Sequence, residues 1–134
     1  MIDAAAPRFA LPLSCLQGAP RPFADGLVAF VKRGCPACQA VAPLLERLAR
    51  EGVELIACSQ DDPAFPAGVA VHDDRALELS FRWDIETTPT LVRIAGGVET
   101  GRAIGWDRAA WVDLAGERVT SIATELGLPP MQPG

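Results

Sequence analysis

The tetrapeptide Cys35-Pro36-Ala37-Cys38 joins two stretches of different hydrophobic periodicity, and this junction constrains the chain more than any bulk property. Before it, Leu27-Val28-Ala29-Phe30-Val31 is a short continuous apolar run, the pattern of a strand buried on both faces. Gly34 punctuates that run. After it, Ala37, Val41, Leu44 and Leu48 recur at helical spacing, with Ala40 and Leu45 widening the stripe. Pro36 suits a first helical turn, where the N–H it lacks has no partner anyway. Cys35 is therefore expected at the N-cap, facing unpaired backbone N–H groups at the positive end of the helix. That setting favours thiolate, and Lys32 and Arg33 add positive field. Cys38 follows about one turn later, within reach of Cys35. Cys35 is read as the exposed nucleophile and Cys38 as the buried resolving thiol, with exchange passing through a mixed disulfide on Cys35.

The rest of the chain supplies a scaffold. Residues 7–25 mix proline, glycine and short apolar pieces, and are read as a loose hairpin or extended arm. Pro43 falls mid-helix, where proline removes a hydrogen bond and is expected to kink the helix. Residues 53–58 form a second strand, and residues 69–71 a short extra one. Asp73 or Asp74 can cap a helix running to Trp83, with Leu77 and Phe81 facing inward. Residues 90–94 form a third long strand, and Gly96-Gly97 a two-residue hairpin loop into residues 98–104. Asp107 caps a last amphipathic helix carrying Trp111, Ala115, Val119, Ile122 and Leu126. The order implies a parallel crossover around the first helix, an antiparallel final hairpin, and a mixed sheet covered by helices. Three segments follow: an arm over residues 1–25, a core over 26–127, and a Pro-rich tail or linker over 128–134.

Composition narrows the function classes. A chain of 134 residues with 49% hydrophobic residues can bury one core. Its net charge of −5, with no Lys/Arg block, argues against nucleic acid or an anionic membrane as partner. No apolar run reaches bilayer length, and Met1 to Pro7 lacks the pattern of a secretory signal, so the expected compartment is the cytoplasm. Cys15 is read as a loop thiol, Cys58 as a small buried hydrophobe and His72 as a surface or turn histidine. A zinc site is the weaker alternative for the dithiol, needing Cys58 and His72 to join it. No metal and no cofactor is expected.

With the dithiol, Pro43 and Thr87-Thr88-Pro89-Thr90 in place, the chain resembles the thioredoxin superfamily over residues 7–126. Members carry C-x-x-C at a helix start, a proline eight residues after the first cysteine (here Pro43), and a cis-proline in a Thr-Pro-Thr context (here Pro89). A late hairpin glycine corresponds to Gly105. The resemblance implies an α/β fold with a mixed central sheet of four to five strands, an N-terminal hairpin or arm, and a redox-active disulfide. It also implies a cis Pro89, with the Thr88 backbone beside the dithiol to pair with an extended substrate. The opening Ala6-Pro7-Arg8-Phe9-Ala10-Leu11 and the piece over residues 61–73 are similar to the TlpA/ResA and peroxiredoxin-type branch.

Three positions depart from the family pattern. Gly34 replaces the usual tryptophan, Ala29 replaces a buried aspartate that takes the second thiol's proton, and Pro-Ala replaces Gly-Pro. Cys38 then needs water or another carboxylate, with Glu86 a candidate. A specialised partner follows from these changes. Trp106 is a candidate to replace the missing tryptophan, set against packing on the last helix. The expected activity is thiol-disulfide exchange in the reductase direction, serving cell redox homeostasis. Cys35 and Cys38 are catalytic, and Gly34, Thr88, Pro89 and Trp106 bind substrate. The substrate would be a disulfide-containing protein or a small thiol, and the chain a monomer, fused or tethered through its tail in one alternative. Two other readings stay open. One is a non-enzymatic interaction module of a larger protein. The other is a thiol peroxidase, which lacks its usual Thr/Ser, since Val31 and Lys32 stand four and three residues before Cys35.

Overall fold

The computed structural model describes residues 23–134. The arm expected over residues 1–25 therefore lies outside the described residues except for 23–25, as does Cys15. The continuous apolar run forms β1 (Gly26–Val31), buried along its whole length. α1 (Pro36–Arg50) follows, then β2 (Leu55–Ser59) and β3 (Ala70–Asp73). α2 (Glu78–Arg82) leads to β4 (Thr90–Ala95) and β5 (Val98–Ile104). The chain closes with β6 (Trp106–Asp107), α3 (Arg108–Ala115), α4 (Arg118–Leu126) and β7 (Met131–Gln132).

Five strands make a mixed sheet in the order β3-β2-β1-β4-β5. β1 runs parallel to β2 and β2 parallel to β3, while β4 is antiparallel to both β1 and β5. Gly96 and Gly97 turn the last hairpin at φ of 61° and 81°, left-handed values that glycine adopts without steric cost. Alternation along β1 divides the core. Leu27, Ala29 and Val31 join Val41, Leu44, Leu45, Leu48, Trp106 and Trp111 on one face. Val28 and Phe30 join Ile56, Cys58, Leu79, Trp83 and Ile94 on the other. Each fully buried leucine on α1 stabilises the fold by about 2 kcal/mol. Pro43 sits inside α1 on its exposed side, and the helix continues through it.

Four expectations are corrected. The helix after β3 is five residues long rather than starting at Asp73 or Asp74, and it buries Leu79 and Ser80. Leu77 and Phe81 do not face inward: Phe81 is 86% exposed. The cause is Asp74, whose buried carboxylate accepts from the Leu79 and Ser80 amides and the Ser80 hydroxyl, fixing the turn ahead of the helix. The expected single C-terminal helix is two helices, α3 and α4, because Gly116 leaves helical geometry at φ 98° and ψ 170°. His72 is buried rather than a surface residue, lying in β3 opposite Cys58. Within residues 128–134, β7 runs antiparallel to β6. No described helix is long and apolar enough to cross a membrane.

Candidate active site

The dithiol forms where β1 leaves the sheet and α1 begins. Cys35 takes extended geometry at the N-cap (φ −99°, ψ 120°), and its sulfur accepts from the Cys38 amide at 3.4 Å. The two cysteines stand 3.2 Å apart as free thiols. Cys35 is partly exposed and Cys38 fully buried. The Lys32 amide donates to Cys38 Sγ at 3.3 Å, and Cys35 Sγ–H donates to the Thr88 carbonyl at 3.3 Å.

These surroundings drive the two thiols apart. Burial pushes Cys35 up, but hydrogen bonds from the Cys38 thiol and amide, the Thr88 side chain and the Ala37 amide outweigh it, and its pKa falls below the ordinary thiol value. Burial, with the neighbouring Cys35 adding to it, pushes Cys38 up to about 12 despite the hydrogen bond from the Lys32 amide. A pair in which one thiol ionises readily and its neighbour resists can attack with one sulfur and hold the other in reserve.

The loop before Cys35 is pinned from outside. Asp61 accepts from the Arg33 amide at 2.7 Å and the Gly34 amide at 3.0 Å. Gln39 Nε2 donates to the Arg33 carbonyl at 2.7 Å, and Arg33 pairs with Asp62. Spacing in the sequence carries no signal that a carboxylate 27 residues on holds the Gly34 amide.

The Thr88–Pro89 peptide bond is cis, and the Pro89 carbonyl accepts from the Gly105 amide at 2.7 Å. Gly34, Cys35, Thr88, Pro89 and Gly105 therefore meet at one end of the sheet. Trp106 does not join them as an exposed platform. It is fully buried, edge-on to Trp111 with ring centroids 5.1 Å apart, so its face is closed to any substrate. Glu86 is exposed and lines a cavity of about 270 Å³ with Lys32, Leu77, Phe81, Ile85 and Thr88. Ala29 is buried in the same cluster as Cys38, so no carboxylate occupies that position. Cys58 packs in the cluster on the opposite face, which keeps it and His72 from completing a zinc set with the dithiol.

This arrangement is a thioredoxin-like fold, which solved structures share. A thio-disulfide isomerase from Thermus thermophilus superposes with a TM-score of 0.60 at 20% identity, covering 92% of this chain and 98% of the other. StoA from Bacillus subtilis gives 0.59 at 17% identity, covering 75% and 90%. A secreted disulfide oxidoreductase from Mycobacterium tuberculosis, homologous to E. coli DsbE, gives 0.58 at 18% identity, covering 90% and 95%. No curated protein matches the chain. Residues 24–104 match the family described as "TraF: F plasmid transfer operon protein", and the chain belongs to that family.

Proposed function

We propose that this protein is a thiol-disulfide oxidoreductase in which Cys35 attacks and Cys38 resolves. The observation that carries the reading is the asymmetry of the pair: a partly exposed Cys35 with lowered pKa at a helix N-cap, and a buried Cys38 raised to about 12. In the reductase direction the Cys35 thiolate attacks one sulfur of a substrate disulfide. That S–S bond breaks, and the departing sulfur leaves as a thiolate that takes up a proton. Cys38, losing its proton to water at the rim, then attacks Cys35 Sγ. The second substrate sulfur leaves, the substrate has gained two electrons, and the Cys35–Cys38 disulfide remains for a dithiol or small thiol to reduce.

Gly34, Thr88 and Pro89 would form the floor on which an extended peptide lies. The Thr88 side chain supports the thiolate, and its carbonyl accepts from the thiol. The substrate class that fits is a disulfide in an exposed, extended segment, since the rim offers backbone groups rather than a deep pocket.

Single serine variants test the scheme against a disulfide-bonded peptide. Cys35→Ser is expected to abolish reduction, whereas Cys38→Ser is expected to stop after one step with substrate trapped on Cys35, visible as a mass adduct. Full activity in Cys35→Ser would remove the proposal. Net reductase direction against a cytoplasmic glutathione pool requires a Cys35–Cys38 potential below about −220 mV, read in a redox titration.

A further inference from the structure

Residues 128–134 run from the end of α4 toward the cis-proline loop beside the dithiol. The Trp106 indole N–H donates to the Pro129 carbonyl at 2.6 Å, Arg108 Nη2 to the Leu128 carbonyl at 2.6 Å, and the Arg108 amide to the Pro130 carbonyl at 2.9 Å. β7 then pairs with β6, Gln132 opposite Trp106 and Met131 opposite Asp107. The contacts from Trp106 and Arg108 all read carbonyls of residues 128–130, so the N–H that Pro129 and Pro130 lack is not needed for docking. Beyond β7 the backbone crosses Gly105, where a β-carbon would lie 3.4 Å from Pro133 Cα. It reaches the cis-proline loop at Gly134. A side chain there would overlap the Thr88 carbonyl oxygen and come within 2.6 Å of Thr87 Cγ2. That carbonyl is the one to which Cys35 Sγ–H donates.

We propose that residues 131–134 are a self-docked strand that competes with a disulfide substrate for the edge between Thr88 and Gly105. The inference rests on the oxidoreductase reading and adds regulation to the same site. The segment is held lightly enough to leave. Met131 is 61% exposed, Pro133 and Gly134 are exposed, and the ladder with β6 spans two residue pairs. Its tether keeps it at high local concentration, so it returns whenever the edge is empty. A peptide substrate must displace it and is weakened by the fraction of molecules that are open. A small disulfide, which needs only the Cys35 sulfur, is not.

Two variants are compared with the 134-residue chain. One ends at Pro130 and keeps the carbonyls that Trp106 and Arg108 bind. The other is Gly134→Val, which retains every residue but cannot share space with Thr88. With the segment docked about nine-tenths of the time, kcat/KM for a disulfide-bonded peptide rises about ten-fold in both. The rate with hydroxyethyl disulfide stays within about two-fold by the same argument. A free peptide of residues 131–134 added to the shortened chain lowers its peptide rate again. Should the shortened form melt early, Gly134→Val decides. Unchanged peptide kcat/KM in the folded variants overturns the proposal, and so does an equal rise with the small disulfide. Exchange with neither substrate in any form overturns the oxidoreductase reading itself, and the competition with it.

Discussion

Cys35 and Cys38 are identical in chemistry and three residues apart, yet their environments set their ionisation on opposite sides of the ordinary thiol value. Thiolate forms above the pKa, so lowering it moves the onset of reactivity to lower pH. Alkylation of Cys35 by iodoacetamide is therefore expected to rise and level off at a lower pH than for free cysteine. Cys38 in the folded protein should stay unmodified until the pH nears about 12. Mass spectrometry of the singly and doubly alkylated species checks both limbs; simultaneous modification would show that the asymmetry is absent. The helix-start position of Cys35 was legible in sequence because capping is local. Asp61 was not, because its hold on the Arg33 and Gly34 amides spans 28 and 27 residues.

At the scale of elements, β1 to β5 and α1 followed from periodicity and turn signals, and the departure at α2 lies where a side chain competes with the backbone. Asp74 takes two amides and a hydroxyl and so shortens α2 to five residues. Asp74→Ala leaves those buried donors without an acceptor, and a loss of about 3 kcal/mol is expected, seen as a lower urea midpoint. Asp74→Asn should recover part of it, because the amide oxygen still accepts. The break between α3 and α4 has a different origin. Residues 111, 115, 119, 122 and 126 keep helical spacing, but Gly116 redirects the chain. Trp111 and the Val119–Ile122–Ala123 face then reach the same core from two helices. Spacing records which residues are apolar, not whether one axis carries them all.

Across the whole molecule, the cis-proline loop, the end of the sheet and α3 form one connected support. Trp111 Nε1–H donates to the Gly105 carbonyl at 3.0 Å, and the Gly105 amide donates to the Pro89 carbonyl. Trp111→Ala empties a fully buried site and frees Gly105, so a loss of about 3–5 kcal/mol in urea unfolding is expected. Reduction of peptide disulfides should fall as well, since Gly105 and Thr88 flank the same edge. Trp106 shows why its role needed the tertiary structure. Its position after the last hairpin admitted two places, and the indole N–H found the Pro129 carbonyl while the ring met Trp111 in the core. The sequence by itself determined the strand–Cys–helix junction, the two-faced burial of β1, the Gly-Gly hairpin and the Asp107 cap. All of these depend on neighbours within a few residues. Only the tertiary structure decided the partners of Cys38, the grip of Asp61, the depth of Trp106 and His72, and the path of residues 128–134. Each of those depends on groups far apart in the chain that become neighbours only when the sheet brings them to the same end.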